Sequence, residues 1–269
     1  MADSSQAIPM APTQDDPAWL DLLEARNGGA TPIVGSPLFE LYGPLCRAHD
    51  TARGNGTIGT FAIAHLAQSL DGRIATTSGV SQWVSGAEDL LHTHRMRALA
   101  DAVLVGLNTA LLDDPQLTVR RCAGDNPVRV VIDPERRLDG SQRMLRDAAA
   151  TTLVFTAADR ARASEALGQA EIVPVPRGEL GLDPHEIRRA LRRRGLTWLF
   201  IEGGGVTVSR FVSARALDRL QITIAPLIIG SGRPSLQLPE IDHLREGLRP
   251  RTRRFVLGED IMVECAFDA

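Results

Sequence analysis

Residues 198–207 read WLFIEGGGVT, and this short stretch carries much of the information about the fold. An apolar run that ends in an acidic residue, Glu202, predicts a buried strand, and the helical spacing resumes at Val206. The three glycines between them let a backbone approach a phosphate closely, and the helix N-terminus presents free N–H groups. The stretch therefore indicates either a phosphate-binding turn or an ordinary tight turn between a strand and a helix.

Strand-like apolar runs alternate with helical segments on both sides of this stretch. Several of the runs are too apolar to be half exposed, so we expect a sheet that is covered on both faces. The alternation predicts an α/β domain with a mostly parallel central sheet flanked by helices. We predict strands at 61–68, 102–106, 128–133, 152–156, 172–175, 198–202, 220–229 and 255–267, the last as one strand or a hairpin, and helices at 85–99, 185–194 and 206–213. The first helix is predicted to begin with a capping box formed by Ser85 and Glu88.

Residues 1–58 differ in composition from the remainder and are predicted to be a partly disordered N-terminal extension to a domain over 59–269. The first sixteen or so residues are acidic and proline-containing, which is typical of disorder. A short amphipathic helix is expected at 19–25, a partly apolar segment at 37–49 and a glycine-rich linker at 51–60. We expect the extension to pack on the main domain or on a partner subunit.

Composition and charge exclude several classes of protein. The 269 residues are 43% hydrophobic and 23% charged, as in a globular protein, and the net charge of −3 provides no basic field for nucleic acid or an anionic membrane. All 30 basic residues are arginine, which excludes a lysine Schiff base and leaves arginines, helix N-termini and backbone amides to bind phosphate. Three separated cysteines and the lack of a run of roughly 20 apolar residues indicate a cytoplasmic protein.

Three further segments carry chemically useful residues, each with a plain structural alternative. Segment 66–75 contains an Asp-Gly turn, which is typical of any strand-to-helix loop. Segment 81–97 places Trp83, a stacking surface or a core anchor, before a helix with two arginines. Segment 105–120 ends a strand in glycine and then supplies two aspartates, a proline and an arginine. Neither a histidine nor a third carboxylate follows the aspartates at useful spacing, so we expect no metal.

In this order and at these separations, the four motifs resemble the reductase domain of the bifunctional riboflavin-biosynthesis deaminase–reductase. The matching patterns are S-L-D-G-R-I-A, S-x-W, R-x-R-A-x-x-D-A-V-L-V-G-x-x-T, L-x-D-D-P-x-L-T-V-R, E-G-G-G and I-A-P-L-I-I-G, over roughly residues 61–268. The resemblance implies a dihydrofolate-reductase-like fold. It also implies NADPH-dependent reduction of the ribose of a phosphoribosylaminopyrimidine, of the type carried out by 5-amino-6-(5-phosphoribosylamino)uracil reductase.

The resemblance also implies the residues of the site. Its arginines would form a phosphate clamp, Glu202 would accept hydrogen bonds from pyrimidine amino groups, and Asp113 would orient or protonate the opening sugar. Asp113 and Glu202 are therefore the catalytic candidates. The substrate-contacting positions are Ser81, Arg97, Leu117, Arg120 and Glu202, and the cofactor-binding positions are Ala67, Trp83, Thr109, Asp113, Gly204, Gly205, Val206, Thr207 and Val208.

The sequence departs from the family pattern at three points. One is the 1–58 extension, which has no counterpart in that reductase domain and is expected to cover the mouth of the active site, the dimer interface or neither. The sequence also contains no zinc-deaminase signature, so we expect a separate deaminase as a pathway partner. His65 stands where the family often carries lysine; it is expected either to donate hydrogen bonds in the site or to be an inward side chain satisfied by backbone. Arg136 and Arg137 are candidates to bind the 2′-phosphate of NADPH, and the C-terminal strands are expected to pair subunits in a homodimer.

Two alternative functions remain open on the sequence. One is a reductase of the same fold that acts on another pterin or pyrimidine, such as dihydrofolate. The other is a catalytically silent nucleotide-binding module. Arg97 and Arg120 favour a phosphorylated substrate over dihydrofolate.

Overall fold

The computed structural model describes residues 16–29, 36–54, 59–161, 167–179 and 181–267. The disorder expected near the N-terminus and part of the expected linker fall outside these ranges. The helices are α1 (Pro17–Arg26), α2 (Pro37–Gly54), α3 (Ala87–Leu99), α4 (Leu107–Leu112), α5 (Arg143–Arg146), α6 (Pro184–Arg192) and α7 (Gly205–Ser213), with one 3₁₀ turn at Leu244–Glu246. In these ranges no helix is both long and apolar enough to span a membrane.

The described residues contain thirteen strands, of which nine form one sheet. The strands predicted from apolar runs all belong to that sheet. The strands are β1 (Phe61–Ser69), β2 (Arg73–Thr76), β3 (Ala102–Gly106), β4 (Val128–Ile132), β5 (Thr152–Ala157), β6 (Glu171–Val175), β7 (Arg177–Gly178), β8 (Gly181–Leu182), β9 (Trp198–Glu202), β10 (Arg219–Ala225), β11 (Gly232–Pro234), β12 (Arg251–Leu257) and β13 (Asp260–Ala266). The main sheet has the order β12-β13-β10-β1-β9-β3-β4-β5-β6. Neighbouring strands run parallel except that β13 is antiparallel to both β10 and β12, which confirms the predicted fold class.

Alternate residues of the strands enter two hydrophobic cores, one on each face of the sheet. Ile63 and Phe200 pack on the face that α1, α2 and α3 cover. Ala64 and Ile201, the next residues along the same strands, pack on the face that α6 and α7 cover. Burial of both faces explains why these strands are continuous apolar runs and not alternating patterns.

The extension is seated on the main domain. Trp19 of α1 and Tyr42 of α2 are fully buried in the same core as α3. The Trp19 indole donates from Nε1 to the Ala123 carbonyl at 2.9 Å, and Tyr42 Oη lies 2.8 Å from Nδ1 of His92. The 37–49 segment is helical as far as Gly54, so the first residues of the expected linker belong to α2.

Several predicted boundaries differ from those of the structure, and two of the differences have identifiable physical reasons. Helix α3 begins at Ala87 with Gly86 as its N-cap, because Ser85 Oγ donates to Asp89 Oδ2 at 2.6 Å and so forms no capping box. Strand β10 ends at Ala225 instead of 229, because the Leu227 amide turns back to the Ala225 carbonyl. The last predicted strand begins earlier, at Arg251, and is a hairpin of β12 and β13.

The parallel strands bring their carboxyl ends to one edge of the sheet. Helix α4 begins there directly after β3, and helix α7 begins there after β9. The two strands are neighbours in the sheet although 91 residues separate Leu107 of α4 from Trp198 of β9. Ligands of open α/β sheets bind at this edge, where helix N-termini and strand ends converge.

Candidate functional site

A cleft of about 830 Å³ opens at the carboxyl edge of the sheet. Its walls are the ends of β3 and β4, the start of α4, the glycine turn before α7 and the loop around Ser81. The predicted site residues that line it are Ser81, Thr109, Asp113, Gly204, Gly205, Val206 and Thr207. A cleft of this size is ordinary for a small-molecule or cofactor site.

The glycine turn forms a cradle in which Gly205 has no room for a side chain. Gly204 has a φ of +76°, and a Cβ added to Gly205 would lie 2.3 Å from the carbonyl oxygen of Ser235. A Cβ on Gly106, at the end of β3, would lie 2.4 Å from Thr207 Oγ1. The hydroxyl of Thr109 also faces this turn, 3.3 Å from a Cβ placed on Gly204. Two hydroxyls and the first N–H groups of α7 therefore surround a space that suits a phosphate group.

Val208 is placed differently from the rest of the turn. Its side chain is fully buried in the core beneath α6 and α7, and its N–H donates to the Gly204 carbonyl at 3.1 Å. Its side chain is thus directed away from the cleft, and its expected contact with the cofactor stays a prediction.

Asp113 and Ser81 face each other across the mouth of the cleft. The Ser81 hydroxyl donates to Asp113 Oδ1 at 3.4 Å. Burial raises the pKa of Asp113, although the Ser81 hydrogen bond and the charge of Arg233 oppose that shift. This carboxyl group therefore keeps a proton at a higher pH than an ordinary aspartate does.

Trp83 and Ala67 lie outside the cleft lining. Trp83 is 81% exposed and has a φ of +67°, so the alternative in which it anchors the core is wrong. The backbone of Trp83 is therefore strained, since a bulky residue rarely adopts a left-handed conformation. Ala67 is partly buried near the end of β1, two residues beyond His65.

Arg97 and Glu202 form a two-pronged ion pair between α3 and the end of β9. Arg97 Nε donates to Glu202 Oε2 at 2.7 Å and Nη2 donates to Oε1 at 2.5 Å. The remaining Arg97 nitrogen, Nη1, donates to the Thr118 carbonyl at 2.9 Å. Each nitrogen of this buried guanidinium has a protein partner, and the pairing anchors Glu202. The expected part of Arg97 in a phosphate clamp stays a prediction.

Arg120 joins this pair through Thr118 and is exposed. Its Nη1 donates to Thr118 Oγ1 at 2.5 Å, and its backbone N–H donates to His94 Nδ1 at 3.0 Å. Burial and the nearby Arg97 and Arg120 charges lower the pKa of His94 to about 3, which keeps the ring neutral and able to accept that bond. We call Arg97, Glu202 and Arg120 the substrate corner. Of its two arginines, Arg120 is the one that is exposed and can bind an anion.

Leu117 supports the loop between these groups through its buried side chain. It is fully buried in the core under α3 and has a φ of +54°. Asp114, three residues earlier, is also left-handed, and its carboxylate accepts the Arg143 N–H at 2.8 Å. The loop that carries Asp113 and Arg120 is thus held by the buried Leu117 side chain and by the Asp114–Arg143 contact.

Asp71 ties together two of the motifs that carry the family resemblance. Its carboxylate accepts the Ser69 hydroxyl at 2.5 Å and the N–H groups of Ile229 and Gly230 at 3.1 and 2.6 Å. These hydrogen bonds, that of Ser69 above all, lower the pKa of Asp71 to about 2. The S-L-D-G turn and the A-P-L-I-I-G loop are therefore one structural unit beside the cleft.

His65 points inward, but its partners are side chains and not backbone. Nε2 lies 3.0 Å from Asp89 Oδ1 and 3.1 Å from Thr223 Oγ1, and the ring is buried. Sequence reasoning missed Asp89, because an acidic residue in the first turn of a helix is ordinarily explained by the helix dipole. Thr118, which links Arg97 to Arg120, gave no sequence signal of its own.

These features define a class of protein: an α/β domain with a glycine-lined cleft and a buried Arg–Glu pair at the carboxyl edge of its sheet. A family model described as the RibD C-terminal domain matches residues 60–256. The chain belongs to this family, and the predicted family resemblance is confirmed.

Two relatives of this chain are named as a pyrimidinone phosphate reductase and as a riboflavin biosynthesis protein. It is 38% identical over 212 residues to the 2,5-diamino-6-ribosylamino-4(3H)-pyrimidinone 5′-phosphate reductase of Methanothermobacter thermautotrophicus, covering 76% of this chain and 96% of that one. It is 34% identical to the riboflavin biosynthesis protein RibD of Aquifex aeolicus, covering 73% of this chain and 55% of that protein. The chain is therefore a reductase of the RibD C-terminal domain family that spans about half of the longer relative.

A solved structure shares the fold. The deaminase/5-amino-6-(5-phosphoribosylamino)uracil reductase of Thermotoga maritima superposes with a TM-score of 0.71 at 26% identity. The match covers 85% of this chain and 62% of that one. The α/β architecture is thus that of a reductase in a bifunctional protein, and this chain again matches only part of it.

Proposed function

We propose that this protein catalyses NADPH-dependent reduction of the ribose of a phosphoribosylaminopyrimidine in riboflavin biosynthesis. The observation that carries the proposal is that a glycine cradle and the Arg97–Glu202–Arg120 corner lie at the same edge of the sheet. One part suits the phosphates of a dinucleotide, and the other suits a pyrimidine that bears a phosphate.

The cradle fits the cofactor through three kinds of donor. Thr109 and Thr207 offer hydroxyls, and α7 offers the N–H groups of its first turn. Bound there, NADPH would supply a hydride to C1′ of the ribose. Arg137 lines the cleft, whereas Arg136 does not, so Arg137 is the better candidate of the two for the 2′-phosphate that distinguishes NADPH from NADH.

The substrate would lie against Glu202 and Arg120. The Glu202 side chain is 19% exposed and is oriented by the Arg97 fork, so its free lone pairs can accept hydrogen bonds from pyrimidine amino groups. Arg120 would bind the 5′-phosphate, and Ser81 would contact the sugar from the mouth of the cleft. Asp113, whose pKa is raised, would donate a proton to the ring oxygen as the C1′–O4′ bond opens.

The relative with 38% identity is named for a diaminopyrimidinone substrate, which favours the diamino compound over the uracil. The test is the fall in NADPH absorbance with each phosphoribosylaminopyrimidine, with dihydrofolate in parallel. Turnover of a phosphoribosyl compound alone supports the proposal. Turnover of dihydrofolate would indicate a reductase of the same fold with another substrate. NADPH binding without turnover would indicate a catalytically silent nucleotide-binding module.

We further propose that the protein acts as a cytoplasmic homodimer beside a separate deaminase. The C-terminal hairpin leaves β12 at one edge of the sheet, where a second subunit can pack. Sedimentation or light scattering would measure the mass in solution, and a monomer at micromolar concentration would contradict the dimer.

A further inference from the structure

A row of alternating charges lies between α3 and the sheet, directly behind the proposed substrate corner. His65 of β1 and Glu202 of β9 are register partners on adjacent strands. Both side chains face α3, since Glu202 pairs with Arg97 and His65 pairs with Asp89 of that helix. The row therefore runs Arg97, Glu202, His65, Asp89, with opposite charges next to each other when His65 is protonated.

His65 is fixed in this row by its partners. The Thr223 hydroxyl donates to Asp89 Oδ1 at 2.6 Å, so it can only accept from His65 Nε2, which consequently carries a proton. Ser85 Oγ holds the other oxygen of Asp89 at 2.6 Å. The His92 ring lies edge-on to His65 with centroids 5.3 Å apart, and it adds no charge because burial lowers the pKa of His92 to about 3.

Because the row is buried, the charge of His65 acts strongly on the neighbouring charged groups. Side-chain exposure in the row is 19% at Glu202 and 6% or less at the other three groups, so water screens these charges weakly. With His65 protonated, two cations balance two carboxylates. With His65 neutral, an excess negative charge remains beside Glu202, which is costly in a buried site. Burial alone would lower the pKa of His65, but Asp89 outweighs it and the pKa is raised.

We propose that His65 is a positioning residue of the reductase. Its imidazolium fixes Glu202 electrostatically without touching the substrate, and it makes binding of the phosphorylated pyrimidine depend on pH. This assignment rests on the proposed function, because Glu202 is the group that His65 positions.

The direction of the pH effect follows from the charges that face His65. These are Asp89 and His92 on α3 and Glu202 on β9, while β10 contributes the uncharged Thr223. Below the pKa of His65 the row is neutral. As the pH rises through that pKa, the site gains one net negative charge and should bind a phosphate dianion more weakly. KM for the substrate should therefore rise, with little change in the Kd for NADPH.

The test combines NMR titration of the His65 imidazole with KM and kcat from neutral to alkaline pH. In the unchanged protein, KM should rise about tenfold across the His65 titration. His65→Asn should show the high KM already at neutral pH and no further rise. His65→Lys should keep a low KM to higher pH, because lysine remains charged. His243→Asn, at an exposed histidine, is the matched control.

Asp89→Asn separates positioning from a merely structural role. It should lower the titration midpoint of His65, and the rise in KM should move to the same lower pH. A KM that stays flat while His65 titrates, or a His65→Asn profile equal to that of the unchanged protein, would overturn the role assigned to His65. The proposed function would stand in either case. If the unchanged protein reduces neither phosphoribosyl substrate, the proposed function fails and the assignment fails with it.

Discussion

Arg97 meets the Glu202 carboxylate with two hydrogen bonds from a buried position. The Glu202→Gln substitution preserves size but removes the charge and leaves Arg97 without its counterion. Hydrogen bonds to charged groups contribute roughly 1.5–3 kcal/mol, so we expect about a 10- to 150-fold fall in kcat/KM. The Kd for NADPH should change little. Steady-state kinetics with fluorescence titration of NADPH would measure both.

The control is Glu171→Gln, which breaks an ion pair of the same type with Arg194 at the surface. Exposed pairs contribute little, so this variant should match the unchanged protein. Equal activity of Glu202→Gln and Glu171→Gln would remove Glu202 from the site.

Arg120 is a sharper probe of phosphate binding than Arg97. Removing Arg97 also strips Glu202 and the Thr118 carbonyl of their partner, so its effects on binding and on stability would be mixed. Arg120→Ala should raise KM for the phosphorylated substrate about tenfold or more and leave KM for the dephosphorylated nucleoside unchanged. Arg121→Ala, at the exposed neighbour, is the control. An equal effect of Arg120→Ala on both substrates would argue against a phosphate contact.

At the scale of elements, the N-terminus of α7 determines whether the cleft can hold a phosphate. Gly205→Ala would place a Cβ 2.3 Å from the Ser235 carbonyl, a backbone atom that cannot rotate away. We expect the turn to shift and the Kd for NADPH to rise by at least about tenfold. The measurement is fluorescence titration, with circular dichroism to establish that the variant is folded.

Gly203→Ala is the matched control for that change. Gly203 has a φ of +73°, but an added Cβ would meet no atom within 4 Å. It should cost roughly 1–2 kcal/mol of stability through left-handed strain and leave the cradle open. NADPH binding by Gly205→Ala at the strength of the Gly203→Ala variant would contradict the phosphate cradle.

At the scale of the whole molecule, the N-terminal extension behaves as part of the fold. Trp19 stacks edge-on against Tyr42, lies under the Arg95 guanidinium and donates to the Ala123 carbonyl. Trp19→Ala should lower the free energy of unfolding by about 3–5 kcal/mol, as measured by denaturant titration. Leu20→Ala, on the exposed side of the same helix, should lower it by much less. Similar losses from both would mean that the extension contributes little to stability.

The division into 1–58 and 59–269 corresponds to a change in composition, and the family match begins at residue 60. Packing does not follow that division. Helix α3, which carries both Asp89 and Arg97, is covered by α1 and α2, and Arg26 also pairs with Asp101 at the start of β3. We therefore expect the 59–269 fragment to be less stable than the full chain.

The sequence by itself determined the elements that a few consecutive residues are enough to specify. The runs 102–106 and 198–202 are strands with the predicted bounds, because a strand covered on both faces must be apolar throughout. It also indicated the glycine turn, since close backbone approach requires glycine wherever the chain goes next. These properties depend on a few consecutive residues.

Only the tertiary structure decided which charged groups meet. Arg97 and Glu202 are 105 residues apart, and His65 and Thr223 are 158 apart, so no local pattern could pair them. The sequence around Arg97 is compatible with a phosphate clamp on the surface or with an anchor in the interior. The fold buries Arg97 against a carboxylate and leaves Arg120 exposed, because a buried charge needs an opposite charge within hydrogen-bond distance.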